Sequence, residues 1–413
     1  MEKWIKHISG KIPYTNKTVN ISLDGKNLIV TGANGSGKTS FLRVVYEKVD
    51  LLIAQEKSAD LHEMKTGLSH YQESLDNAQK ETVAYDRAEW MVNDYKSRID
   101  AVENRLVVNI PENIRFSSLY DDRKAIIRFF EEKRLSEIIQ PATANAVPVE
   151  EENARKADAS KKFANNLEQH LVNLKNRQAL AIAIDKNQAL ADHIEQWFVD
   201  FEKNLKILFE DPHVALKFDP DNFKFSICQP NKPPYTFQTL SAGYRAIFDI
   251  YAELIMRTEY FKVMPKELTG VVLIDEIDSH LHVSLQRLIL PFFTESFPKI
   301  QFIVTTHSPF VLISTPDTIV FDLAKNEPII EDLSYYTYSA IMKGLWNVKP
   351  ISANLENTVK EIAQIVNSEQ KDLSRLRELT GKIKERESML DNESKAFYLL
   401  GLETLEEEGG GDV

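Results

Sequence analysis

Residues 32–39, Gly-Ala-Asn-Gly-Ser-Gly-Lys-Thr, have the spacing G-x-x-x-x-G-K-[ST] and lie between an apolar strand-like segment and a helix-like one. The residue types suit phosphate chemistry. Glycines let the backbone turn so that successive N–H groups and a helix N-terminus converge on a phosphate. Lys38 brings a point charge to the β- and γ-oxygens, and the Thr39 hydroxyl is a ligand for Mg²⁺. The segment therefore offers a nucleoside triphosphate site made of Gly32, Asn34, Gly35, Ser36, Gly37, Lys38, Thr39 and Ser40.

Far downstream, the apolar run Val271-Val272-Leu273-Ile274 ends in Asp275-Glu276. Neighbouring side chains at a strand end diverge, so the two acids are expected to act separately, Asp275 on Mg²⁺ and Glu276 as the base that polarises an attacking water. A second apolar run, Phe302-Ile303-Val304, leads through Thr305 and Thr306 to His307. A strand-end histidine is more often structural. At the carboxyl edge of a sheet that also carries the phosphate loop and the acids, His307 becomes a catalytic candidate facing the γ-phosphate. Leu240-Ser241-Ala242-Gly243 opens a helix, and Ser241 would be a good N-cap in any protein. Its position between the phosphate loop and the acidic strand is what makes it informative. His280 and His282 have H-x-H spacing with no evident third ligand, and read as interface or surface histidines.

Elements must hold these residues in place. Residues 19–23 and 27–31 read as strands around the Asp24-Gly25 turn, and 40–49 as a helix. Leu61, Met64, Leu68, Tyr71, Leu75 and Ala78, then Val92, Tyr95, Ile99, Val102 and Leu106, step by three and four in a heptad seam with no proline between 51 and 110. An antiparallel hairpin turning near residues 76–80 would bring the chain back to the core. Residues 125–130 read as a strand, 140–152 as a linker with Pro141, Pro148 and an acidic run, and 154–209 as a second helical region. Short strands are expected at 214–218, 223–227 and 235–237, and from Leu240 helix alternates with strand. The end, Glu406-Glu407-Glu408-Gly409-Gly410-Gly411, reads as a disordered tail.

In this order the phosphate loop, Leu240-Ser241-Ala242-Gly243, Asp275-Glu276 and His307 resemble the ATP-binding cassette (ABC) ATPases over about residues 1–50 and 235–325. By that resemblance they are the Walker A loop, the signature, the Walker B pair and the switch histidine. The helical stretch between the two segments is similar to the insertion of the SMC-like branch, and among chains of this size the sequence looks most like the stand-alone ATPase of Septu and retron-type antiphage systems. The resemblance implies an α/β fold: an ABC-type head with a mixed, largely parallel sheet, a helical or coiled-coil insertion and C-terminal helices. It divides the chain into an N-terminal ATPase lobe (1–50), a coiled-coil hairpin (51–110), a strand, linker and helical insertion (111–210), a C-terminal ATPase lobe (211–345) and C-terminal helices with an acidic tail (346–413). It further implies ATP and Mg²⁺ held between two heads, with Ser241 and Gly243 of one facing the γ-phosphate on the other. A homodimer or higher homo-oligomer, slow hydrolysis and a separate nuclease subunit as partner follow from it. The chain departs from the family in lacking the glutamine of the loop before the insertion, and Tyr14 is its candidate for stacking on adenine. The alternative resemblance is to a RecF-type ATP-switched protein, with DNA or RNA as partner.

Composition sets the outer limits. A chain of 413 residues, 43% hydrophobic, exceeds one average domain. Its 50 Lys+Arg against 62 Asp+Glu, a net charge of −12, argue against coating nucleic acid or anionic membrane over the whole surface and leave room only for a local basic patch. Cys228 is the only cysteine, which excludes an intramolecular disulfide and a cysteine-rich zinc site. No apolar window approaches a membrane span, so a cytoplasmic protein without membrane contact is expected. All nine histidines precede residue 308, and no Glu-Gly and Asp-x-Asp strand pair follows it, so no nuclease site is expected in this chain. The seam from Leu61 to Leu106 and a second one of Leu355, Val359, Ile362, Val366, Leu373, Leu376 and Leu379 after Pro350 are the places expected to serve self-assembly or dock a partner, through the helical insertion or the C-terminal region.

Overall fold

Among the described residues the strands are β1 His7–Lys11, β2 Thr18–Ser22, β3 Asn27–Thr31, β4 Val107–Asn109, β5 Ala125–Phe130, β6 Ala215–Asp219, β7 Lys224–Cys228, β8 Thr269–Ile274, β9 Ile300–Thr305, β10 Thr318–Asp322 and β11 Glu327–Ile329. The computed structural model describes residues 3–409 apart from 14, 55–60, 79–81, 104–105, 135–136, 159, 317, 349–350 and 385. It divides into two units, Met1–Tyr336 and Thr337–Val413.

The central sheet of the first unit runs in the order β11-β10-β3-β9-β8-β5, with β10 to β5 parallel and β11 antiparallel at the edge. Every residue of β3 and β9 is buried, as continuous apolar strands must be when helices cover both faces. Gly270 lets β5 approach β8. A Cβ there would lie 2.0 Å from the Ile126 carbonyl oxygen, on a backbone with φ of 135°. The parallel register brings Thr31, Phe130, Ile274 and Thr305 to one edge of the sheet, so the segments following β3, β5, β8 and β9 share that edge.

A second sheet, β2-β1-β4, is antiparallel, and its inward Ile8, Val19, Ile21 and Val108 pack with Phe41, Leu42, Val45 and Val49 of the helix Lys38–Ile53. β6 and β7 form a separate hairpin. The helices Leu61–Asn77 and Val83–Glu103 lie along one another, with the Tyr71 and Tyr95 rings stacked at 5.6 Å. They cross closely at Gly67, where a Cβ would meet Tyr95 Cε1 at 2.6 Å. The side chains of Leu61 and Val102 from the seam, and residues 79 and 80 of the expected turn, lie outside the described residues.

Three expectations are corrected. Part of the stretch read as a linker is the helix Val147–Lys156, because Pro148 stands in the first turn, where its missing N–H costs nothing. Residues 235–237 are no strand: Tyr235 makes one bridge to Ile227, and Thr236 then caps the short 3₁₀ turn Phe237–Thr239. The acidic tail is helical through Gly409, within the helix Asn392–Gly409, and 410–413 lie outside the described residues.

In the second unit the helices Ala353–Val366, Leu373–Lys384 and Asn392–Gly409 surround Ile362, Leu376, Leu379, Ile383, Tyr398 and Leu405. The seam expected to receive a partner is therefore turned inward to build this unit's own core. Leu355, Val366 and Leu373 pack against that core, and Val359 is buried.

Candidate nucleotide site

β3 ends at Thr31 and the chain turns through Gly32, Gly35 and Gly37 with φ of 142°, 75° and 98°. These conformations favour glycine. A Cβ on Gly32 would also meet Ser36 Oγ and the Ala324 nitrogen at 3.0 Å. Gly37 is the N-cap of Lys38–Ile53 and supplies no side-chain cap, so the orphan amides of the first turn are left for an anion. Lys38 Nζ is buried and donates to the Gly32 and Ala33 carbonyls at 3.1 and 3.4 Å. Burial lowers its pKa, and Glu276, Asp275, Asp278 and Asp322 oppose that. Ser36 Oγ and Thr31 Oγ1 are buried without a hydrogen-bond partner, as polar atoms awaiting a phosphate or its hydration would be. Asn34 and Thr39 are exposed and Ser40 is half-buried.

Beyond β8, Asp275 is 3% exposed and Glu276 follows in a left-handed conformation, φ 43°. Such a turn costs a non-glycine residue about 1–2 kcal/mol, and two groups hold it. The Thr305 hydroxyl donates to Asp275 Oδ1 at 2.6 Å and accepts the Glu276 N–H at 2.7 Å. Arg134 Nη2 donates to the carbonyls of both Asp275 and Glu276 at 2.7 Å. His307 Nε2 stands 3.8 Å from Glu276 Oε1. Burial, then Glu132, Asp275 and Asp278, raise the Glu276 pKa, and Lys38 opposes them. Burial and Lys38 lower that of His307, which keeps its imidazole neutral at neutral pH. Lys38, Asp275, Glu276 and His307 thus occupy one electrostatic neighbourhood.

The signature segment stands apart. Ser241 is exposed at the N-cap of the helix Ala242–Phe261, yet its hydroxyl does not cap that helix. No hydrogen bond or ion pair joins Ser241 or Gly243 to residues 32–40 among the described residues. His282 does not pair with His280 as a ligand. It caps the helix Val283–Ser296 by accepting the Ser284 N–H. Among the described residues no group of three His, Cys, Asp or Glu could hold a metal alone. A Mg²⁺ on Thr39 and Asp275 would therefore need phosphate oxygens and water to complete its shell, as this ion prefers. Tyr14 lies outside the described residues.

Sequence reasoning passed over Arg134, Thr305, Glu132 and a buried network above them. In that network Glu253 accepts from Arg128 Nε at 2.9 Å and Arg257 Nε at 2.8 Å, while its other oxygen accepts the Phe163 N–H at 2.6 Å. A lone arginine inside the apolar strand Ala-Ile-Ile-Arg-Phe-Phe was the available signal.

The sheet order, the phosphate loop after β3, the acids after β8 and the helical insertion between them make up a mixed, largely parallel α/β fold, the one that the resemblance to ABC-type heads implies. Residues 149–314 match the family described as AAA domain, putative AbiEii toxin, Type IV TA system. The chain is similar to the Retron Ec83 probable ATPase of Escherichia coli, 40% identical over 26% of this chain and 18% of that one. It is 28% identical to the Retron Vc95 probable ATPase of Vibrio cholerae serotype O1 biovar El Tor over 68% of this chain and 54% of that one. The Septu protein PtuA of Bacillus mycoides (strain KBAB4) is 39% identical over 22% of this chain and 13% of its own length. The chain therefore spans about half the length, or less, of these curated relatives. No described helix is long and apolar enough to cross a membrane.

Proposed function

We propose that this chain binds ATP with Mg²⁺ and hydrolyses it slowly between two copies of itself, and that the ATP state controls a separate effector nuclease of an antiphage system. One observation carries the ATPase reading: buried Lys38, buried Asp275 and Glu276, whose carboxylate lies 3.8 Å from His307 Nε2, follow the ends of parallel strands at one edge of the sheet. Lys38 and the loop amides bind the phosphates, and Ser36 adds its idle hydroxyl. Glu276 accepts the proton of the attacking water, and neutral His307 donates a hydrogen bond toward the γ-phosphate. Mg²⁺, held through Thr39 and Asp275, would supply charge stabilisation to the phosphates. The uncapped, exposed Ser241 supports a site completed by a second copy, since an N-cap hydroxyl with no work in its own helix can serve a neighbour's phosphate. The retron and Septu names of the relatives support the antiphage-system reading, and the nuclease partner follows only from the resemblance to the stand-alone ATPases of such systems. ATP binding and phosphate release, measured for the wild type, Lys38→Ala and Glu276→Gln, test the reading. It requires lost binding in the first variant and lost turnover with binding retained in the second.

A specific observation favours the second reading, DNA or RNA binding. A concavity of about 710 Å³ on this acidic protein is lined by Lys3, Lys6, Arg115, Lys124, Lys262 and Lys299, of which the last four pair with Glu112, Asp122, Glu151 and Glu267, so that phosphates would have to compete with these carboxylates. Salt-dependent retention of DNA or RNA, lost on reversing Lys124 and Lys262 to Glu, would support it.

A further inference from the structure

Arg134 closes the run Glu131-Glu132-Lys133-Arg134, which reads as a solvated charge cluster, yet it is 7% exposed. One nitrogen, Nη2, donates to the carbonyls of Asp275 and Glu276, which flank the Glu276 Cα. These are the groups whose orientation sets the left-handed turn at Glu276, and such a turn persists only where its surroundings impose it. Thr305 holds the same turn through the Glu276 N–H. Nε and Nη1 of Arg134 are buried with no hydrogen-bond partner. On the helix Ala242–Phe261, which the signature opens, Asp249 is 5% exposed and its Oδ1 is likewise buried without a partner. Burial draws the guanidinium down to about 10, still protonated at neutral pH, and Asp249 is the strongest charge opposing that.

We propose that Arg134 is a positioning residue for the hydrolytic base, fixing the Asp275–Glu276 turn from behind, and that Asp249 on the signature helix sets how firmly it does so. The inference rests on the ATPase reading above and adds regulation to it. A displacement of the signature helix moves Asp249 relative to Arg134, and the Glu276 carboxylate is re-aimed through two carbonyls. The nucleotide itself is not touched.

The test compares Arg134→Gln, Arg134→Lys and Asp249→Asn, each alone and in the Glu276→Gln background, by ATP affinity, kcat, KM and Tm. Arg134→Gln is expected to lower kcat about 100-fold, the scale of a small misplacement of a reacting group, with ATP affinity within about threefold of wild type. Arg134→Lys should recover about tenfold of that loss, because an ammonium still reaches a carbonyl but lacks the fixed fork. Asp249→Asn should lower kcat several-fold at unchanged affinity. In the Glu276→Gln background Arg134→Gln should change ATP affinity no further, since the base it positions is gone. If Arg134→Gln does not fold, Arg134→Lys and Asp249→Asn decide the matter. Wild-type kcat in those two, or affinity falling in step with kcat, overturns the proposal. Absence of ATP turnover in the wild type would overturn the ATPase reading itself, and turnover undiminished in Glu276→Gln would remove Glu276 from the role of base and this inference with it. Turnover abolished there but untouched by Arg134 and Asp249 variants overturns only this inference.

Discussion

Gly243 and His280 meet at a distance that admits no side chain: a Cβ on Gly243 would lie 2.8 Å from the His280 carbonyl oxygen. The contact joins the first turn of the signature helix to the loop that follows the acidic pair, where His280 itself takes a left-handed conformation, φ 64°. Gly243 has no positive φ, so closeness alone demands a glycine there. Gly243→Ala must push the two segments apart by several tenths of an ångström. Nucleotide binding through Lys38 is expected to survive, while hydrolysis falls about tenfold or more, the cost of a misplaced catalytic element. Nucleotide titration beside phosphate release checks this, and full turnover in the alanine variant would contradict it.

Thr305→Val tests the hydroxyl that bridges the Asp275 carboxylate and the Glu276 amide. The methyl keeps the volume and leaves both partners buried without their hydrogen bond, at a cost of about 1–3 kcal/mol. A lower Tm and a lower kcat are expected together. A variant with wild-type values of both would show that Arg134 alone holds the turn.

Leu240–Gly243, Asp275-Glu276 and the loop from Gly32 to Thr39 stood out as candidates in the sequence because spacing and residue type are local signals. Arg134 was not, because its burial depends on the β5 edge meeting the end of β8, a pairing of residues more than a hundred positions apart. The central strands β8 and β9 were legible as unbroken apolar runs. The three-residue β4 and β11 were not, since strands that short carry no period. The helix at 147–156 was misread because proline marks a turn in one context and a first helical turn in another. The C-terminal seam was read correctly as apolar and helical. Its occupant was not legible, because a seam looks the same whether a partner or the chain's own next helix fills it.

The acid side of the pH profile should belong to Glu276. Its carboxyl is raised above the ordinary carboxylate range by burial and neighbouring acids, so the free base is lost as pH falls through a point above about 4.3. For stability the sign is opposite. A carboxyl with a raised folded pKa binds its proton more tightly when folded, so protonation in that window favours the fold. His307, lowered by burial, works the other way, and its contribution to stability declines as pH falls below about 6.5. Between these limits kcat should fall on acidification without a matching fall in Tm attributable to Glu276. A kcat profile with its acid limb in the ordinary carboxylate range would contradict the assignment.

Ser241→Arg should abolish hydrolysis by placing bulk and charge where a second head's phosphate must approach, while nucleotide binding to one copy continues. Mixing that variant with Lys38→Ala gives mixed dimers with at most one intact site, built from the phosphate loop of one chain and the Ser241 of the other. Partial recovery of activity on mixing is expected, up to roughly a quarter of wild type if chains pair at random and each site works alone. No recovery across a range of mixing ratios, with dimers present, would count against a site shared between copies.

Leu376→Ala addresses the second unit by itself. Leu376 is fully buried among Ile362, Leu379, Ile383 and Tyr398, so its truncation removes the side chain's transfer energy and leaves a cavity that three short helices can only partly close. Large-to-small changes of this kind cost about 2–5 kcal/mol, a large fraction of what a unit of this size can hold. Gly401 leaves little slack: a Cβ there would already crowd Ile362 Cγ2 and Thr380 Cγ2 at 3.1 Å. Amide exchange over residues 353–409 should therefore accelerate strongly in Leu376→Ala, while protection of β3, β8 and β9 and the affinity for ATP stay at wild-type values, because the residues that make the nucleotide site all precede Tyr336. Exchange measured by mass spectrometry, with a nucleotide titration on the same sample, separates the outcomes. Unchanged protection over 353–409 would mean that the three helices draw their stability from something other than this core.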